Sequence, residues 1–192
     1  MKRRFFSPIV EGHGEQEALP LLIRKIFAHA SPEITPVINP PIRVKSGSFL
    51  NDEEYFRKYV TLAAAKAAQA GGEMLILLDC EDDCPATLGP SLLARAKNVR
   101  SDVPTTVVLA HREYETWFLA AAESLRGCGG LAANLSPPAE PEAIRGAKEW
   151  LGRHMEQSYD PIIHQAAFTA HFDLSQAKTV PSFARFISKI LS

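Results

Sequence analysis

Between Met74 and Cys84 the sequence reads MLILLDCEDDC, so Asp79, Glu81, Asp82 and Asp83 bring four carboxylates into five residues. Acids this close repel one another unless a cation or positive side chains offset them. A hard divalent metal is the simplest offset, because it prefers oxygen ligands. Another acid stands far upstream, Glu11, inside the turn-like run Val10-Glu11-Gly12-His13-Gly14. Three carboxylates around an open cation, with water in the remaining positions, is the usual magnesium arrangement. Such a cation polarises a phosphodiester and activates a water. Glu11, Asp79 and Glu81 are therefore the candidate catalytic and metal-ligating residues. Asp83 is the next acid in reach, as a third ligand or an outer acceptor, and magnesium or manganese is the expected cofactor.

For these acids to meet, the chain must place them at one edge of one sheet. Met74–Leu78 is an apolar run after Gly71-Gly72, the pattern of a strand buried on both faces. Phe5–Val10 reads as a first strand that ends at Glu11, and apolar residues from Leu19 to Ala30 at helical spacing follow it. Ser31–Pro41, with four prolines, reads as a loop or a broken strand. Ile42–Val44 is a short second strand. Asn51 and Glu54 have capping-box spacing before a helix with Tyr55, Phe56, Tyr59, Val60 and Ala63 on one face. Gly89-Pro90 marks the start of the next helix. Thr105–Ala110 is a fourth strand, rich in β-branched residues, and His111 opens a helix to about Leu125. Alternation of this kind predicts an α/β fold, Rossmann-like, with a parallel sheet of about four strands flanked by helices. All strands of a parallel sheet point one way, so Glu11 and Asp79 share a rim if their strands are neighbours. Ligands bind at that rim in open α/β sheets.

The predicted organisation is an α/β domain over 1–126, a linker over 127–141 and a helical C-terminal extension over 142–192 packed on the domain. Phe183, Phe186, Ile187, Ile190 and Leu191 mark the clearest tail helix. The 192 residues carry a formal net charge of −1. Bulk charge therefore gives no help to nucleic-acid binding, which needs a local patch; Arg43, Lys45, Arg57 and Lys58 are the candidates. Three cysteines are too few for a disulfide framework, and a reducing cytoplasm is expected. No apolar run is long enough for a membrane span, and the N-terminus is too short in apolar residues for a signal peptide.

His13, Lys45, Ser46, Ser48 and Arg112 are the candidate substrate contacts. Backbone N–H groups of Lys45-Ser46-Gly47-Ser48 suit a phosphate, and equally suit a plain turn. Glu113 and Glu115 follow the fourth strand on the predicted rim, either as groups supporting the metal or as helix-start acids favoured by the dipole. The acid cluster itself has the alternative of capping the following helix, although one cap does not require four acids. Cys80 and Cys84 lack the second ligand pair that a zinc site needs.

The segments VEGHGEQEALPLLIRKI, RVKSGSFLNDEEYFRKY, LLDCEDDCP, HREYETWFL and SFARFISKIL resemble the blocks of the DUF4276 family and span nearly the whole chain. A glutamate-glycine after the first strand and a D-x-D-type motif after the third also resemble the Toprim fold of topoisomerases, primases and OLD-type nucleases. That resemblance implies acid–base chemistry at Glu11 and magnesium at Asp79 and Glu81, with Glu81 standing where the pattern has a second aspartate. It implies hydrolysis of DNA or RNA, with an ATPase partner in defence against foreign DNA. Two other readings stay open: a non-catalytic interaction module and a small-molecule phosphohydrolase.

Overall fold

The computed structural model of the chain describes residues 2–192. At its centre lie two parallel strands, Lys2–Val10 (β1) and Glu73–Asp79 (β4). Ile34–Ile38 (β2) pairs with the first half of β1, Ile42–Arg43 (β3) with its last residues, and Thr105–Ala110 (β5) with β4. The sheet therefore has five strands in the order β2-β1-β4-β5, with β3 beside the end of β1. Alternation along β4 assigns its side chains: Leu75 and Leu77 face one hydrophobic core, while Met74, Ile76 and Leu78 face the other. This is why the run has no polar positions.

Of the two readings of Ser31–Pro41, a loop or a broken strand, the structure shows the strand, β2. Pro36 lies opposite Arg4 in the ladder. Asn39 N donates to Phe6 O, and two-residue alternation then turns the Pro36 nitrogen to the open side, where a missing donor costs nothing. Proline is tolerated on an edge strand for this reason.

Two helices cover one face of the sheet: Glu53–Gln69 (α3) and Pro85–Val99 (α4), with the short Ser46–Asn51 (α2) ahead of them. The N-cap of α3 is Asp52, whose side chain accepts from Glu54 N and Tyr55 N, rather than Asn51. Asn51 instead donates to Gly47 O. Helix α4 begins at Pro85, four residues before the Gly89-Pro90 signal, because proline also fits the first helical position. The other face carries His13–Ala30 (α1), Thr116–Ala120 (α5) and the helices of the tail: Ala147–Arg153 (α6), Pro161–His171 (α7), Leu174–Ala177 (α8) and Pro181–Leu191 (α9). The helix expected from His111 to about Leu125 is thus shorter and continues as a 3-10 turn over Ala122–Leu125.

Residues of the expected linker and of the tail share a core with the sheet: Leu131 and Leu135 from the first, and Leu151, Phe168, Phe183 and Phe186 from the second, are buried together with Phe6, Leu22 and Leu75. Lys25 on α1 fastens α7 by donating to the carbonyls of Thr169, Ala170 and Phe172. A cation there also meets the negative end of the helix dipole. Among the described residues no helix is long and apolar enough to cross a membrane.

Candidate acidic site at the carboxyl ends of the central strands

Because β1 and β4 are hydrogen-bonded neighbours running the same way, Glu11 and Asp79 leave the sheet at one rim. Glu11, His13, Asp79, Glu81 and Glu115 line one cavity of about 340 Å³. The structure places a further acid there. Glu15, one helical turn into α1, folds back and accepts a hydrogen bond from Glu11 N at 3.1 Å. Gly12 gives it room, since a Cβ on that residue would lie 3.1 Å from Glu15 Oε1. Gly14 allows α1 to meet α7, because a Cβ there would run into the Pro161 carbonyl and the Gln165 side chain.

The charge is offset by Lys148, from the first turn of α6. Its Nζ lies 3.3 Å from Glu115 Oε2, 3.4 Å from Glu113 Oε1 and 3.7 Å from Asp79 Oδ2. Glu113 also accepts from Lys148 N at 3.2 Å. Glu115 is wholly buried and receives Tyr159 OH at 2.9 Å and Gln165 Nε2 at 3.3 Å. Asp79 accepts from Tyr114 N at 2.8 Å. Two carboxylate oxygens, Glu11 Oε2 and Glu115 Oε2, are buried without a hydrogen-bond partner, although Lys148 Nζ stands within ion-pair distance of the second.

Burial dominates the titration of this group. It pushes Glu15 up to about 8, and the charge of Glu115 adds to it. Burial, then Glu15 and Glu115, hold Asp79 well above the usual carboxylate range. Glu115 is raised by burial against the pull of Lys148. Glu81 moves up through burial and then the charge of Glu113. For Lys148 burial works against the charged form, yet Glu115, Asp79 and Glu113 outweigh it and raise the ammonium above its ordinary value. Glu15 is therefore a carboxylic acid at neutral pH, buried behind the turn that carries Glu11.

The remaining sequence-predicted residues do not line this cavity. Asp83 is exposed on a turn in which its own N–H donates to Cys80 O, and it does not line the cavity. Ser46 spends its hydroxyl on Glu11 Oε1 at 2.5 Å, so it orients the glutamate. Lys45 N donates to Tyr55 OH, while Ser46 and Ser48 sit in the first turn of the short α2. Arg112 donates to Asp82 at 2.7 Å, and Arg145 reaches the same carboxylate at 2.8 Å. Glu81 and Arg112 both adopt the left-handed backbone region, with φ of 48° and 62°. They face each other through Glu81 N and Arg112 O at 3.0 Å. Non-glycine residues in that region cost about 1–3 kcal/mol each and concentrate at functional sites.

Sequence reasoning missed Glu15, Lys148, Tyr159 and Gln165. Glu15 had a usable signal, its spacing of four from Glu11 on a helix that starts between them. The other three come from the tail and carry no local signature. As a holder of a hard cation, the site suits the ion in donor type, all carboxylate oxygen, and in the unpartnered Glu11 Oε2. In the arrangement observed, no three acids among the described residues are set closely enough to grip an ion.

Fold and site together define a parallel α/β protein with a carboxylate-lysine centre at the carboxyl edge of its sheet. The chain belongs to the DUF4276 family, described as "Domain of unknown function (DUF4276)", whose model matches residues 10–191. No curated protein and no solved structure matches the chain.

Proposed function

We propose that the rim cavity binds magnesium or manganese and hydrolyses phosphodiesters of DNA or RNA, in the manner of a Toprim nuclease. One observation carries this reading: Asp79, Glu113 and Glu115 share a single ammonium, Lys148, while Glu11 and Glu15 line the same cavity as Asp79 and Glu115, and Glu11 Oε2 has no hydrogen-bond partner. Glu11, Asp79 and Glu81 would hold the cation, which would supply charge for a phosphoryl oxygen and an activated water. Ser46 fixes the direction of the Glu11 carboxylate. Lys148 presents positive charge toward the cavity, where a phosphate oxygen needs it. Glu15 keeps a proton at neutral pH, so the rim does not repel an anionic substrate with every carboxyl it has. An ATPase partner and a role in defence against foreign DNA accompany the Toprim resemblance and form part of this proposal.

A second reading rests on Lys148 itself. With its ammonium already among three carboxylates, the rim is neutralised in part without any metal, as in a non-catalytic interaction module. Calorimetric titration with magnesium and manganese, followed by incubation with plasmid, single-stranded DNA and RNA, separates the two. The nuclease reading expects metal binding and cleavage, with Glu11→Gln and Asp79→Asn each losing on the order of 100- to 1,000-fold in rate while remaining folded. Absence of metal binding, or cleavage indifferent to both substitutions, overturns it in favour of the module.

A further inference from the structure

At the far side of the sheet, β5 is hydrogen-bonded along one edge only. Met74 N donates to Pro104 O and Cys80 N to Ala110 O. Residues of a parallel strand alternate between the neighbours on either side. Thr106, Val108 and Ala110 therefore turn their backbone groups to β4, and Thr105, Val107 and Leu109 turn theirs outward. Among the described residues, the one hydrogen bond those outward groups receive is from Lys189 Nζ to Val107 O, at 2.7 Å.

A groove of about 640 Å³ opens onto this edge between α4 and α9. Val107 and Leu109 contribute to its apolar floor, and Gly89 and Leu93 of α4 to one wall. The opposite wall carries Arg185 and Lys189, one turn apart on α9. Neither has a carboxylate within ion-pair distance among the described residues. The acid that does line the groove, Glu142, is engaged by Ser182 N at 2.8 Å. Like charges at this helical spacing destabilise a helix, so the pair is a cost that an anionic group from outside would relieve.

We propose that this groove takes an extended segment of a partner protein, which adds a strand to the open edge of β5 and sets an acidic side chain against Arg185 and Lys189. Backbone groups of Thr105 and Leu109 supply the ladder, joined by Val107 when Lys189 Nζ leaves the Val107 carbonyl for the incoming acid, as in other strand-addition complexes. The apolar floor takes side chains at alternate positions of the incoming strand. A second copy of this chain is the poorer occupant. Pairing β5 with β5 would bring two Arg185–Lys189 pairs to one seam with no free acid between them. The proposal is independent of any chemistry at the rim, about which it makes no assumption.

The test is a display selection on the full chain with random peptides of about nine residues, roughly the length of a strand. Selected peptides are expected to carry acidic residues among alternating apolar ones, and to slow amide hydrogen exchange at Val107 and Leu109. Arg185→Glu with Lys189→Glu should weaken them about ten-fold or more, as should N-methylation of alternate peptide amides. Arg185→Glu alone, on an exposed side chain, leaves the fold and any cleavage activity as they were, and the N-methylated peptides leave the protein itself unchanged. Enrichment of basic peptides, failure to enrich any peptide that protects these amides, or self-association through β5 seen by sedimentation would overturn the proposal. In the second of those outcomes Lys189 merely shields the edge, a common guard against aggregation.

Discussion

The two central strands end in opposite ways. Where β1 and β4 begin, Arg4 Nε meets Glu73 Oε1 at 2.7 Å, Thr106 Oγ1 donates to the other Glu73 oxygen, and Arg4 also donates to Ile190 O. One guanidinium answers one carboxylate, and both oxygens have partners. Where the same strands finish, Lys148 faces Asp79, Glu113 and Glu115, with Glu11 and Glu15 alongside. A balanced pair closes a structure, whereas a surplus of buried acid weakens the fold unless protons or a ligand answer it. The first end holds the sheet to α9, and the second keeps charge in reserve.

The largest break in that comparison comes from pH. The Glu15 carboxyl ionises near 4.5 when unfolded and is pushed up to about 8 in the fold. Between these values the unfolded chain has lost a proton that the native chain keeps, so stability falls as pH rises through the window and levels off above it. At 1.36 kcal/mol per pH unit the span is worth on the order of 5 kcal/mol. Urea unfolding from pH 5 to 8 should show the fall, and Glu15→Gln should make it shallower, leaving the share of Asp79 and Glu115, and stabilise the protein at pH 8. A flat wild-type profile would mean that the rim is already neutralised.

Next in size is Lys148→Met, which leaves three carboxylates without their ammonium. Removing one partner of a buried pair costs about 3–5 kcal/mol. The lower figure applies here because the Lys148 side chain is 35% exposed. If magnesium takes the place of the ammonium, millimolar metal should restore much of the loss in a thermal melt, while the wild type gains less. The smallest effect belongs to the balanced end. Glu73→Gln should cost about 1 kcal/mol, with no dependence on metal and no change in cavity chemistry. A larger or metal-sensitive loss there would erase the contrast between the two ends.

Much of this was legible in the chain because alternation reads through. Met74–Leu78 had to be buried on both faces, and a parallel strand ending at Asp79 had to share its rim with Glu11. The edge strand β2 was legible only as one of two alternatives, since Pro36 suits a loop as well as a strand whose unpaired side needs no donor. Lys148, Tyr159 and Gln165 were not legible either, because their relation to Glu115 is purely tertiary and spans at least 33 residues of chain. Asp83 looked equivalent to its neighbours in the cluster, but the turn that returns Asp83 N to Cys80 O sets it outside the cavity. Arg112 looked available, and Asp82 had already claimed it.

One absent methyl group has a reach beyond its own residue. At Gly14 the first helix lies so near α7 that any side chain would strike the Pro161 carbonyl. Helix α7 brings Gln165 to Glu115, and Tyr159, just before it, brings the phenol. An alanine at position 14 would prise that roof upward and admit bulk water over the buried acids. The dryness of the chamber, and every shifted proton within it, is thus gauged by the width of a single hydrogen atom.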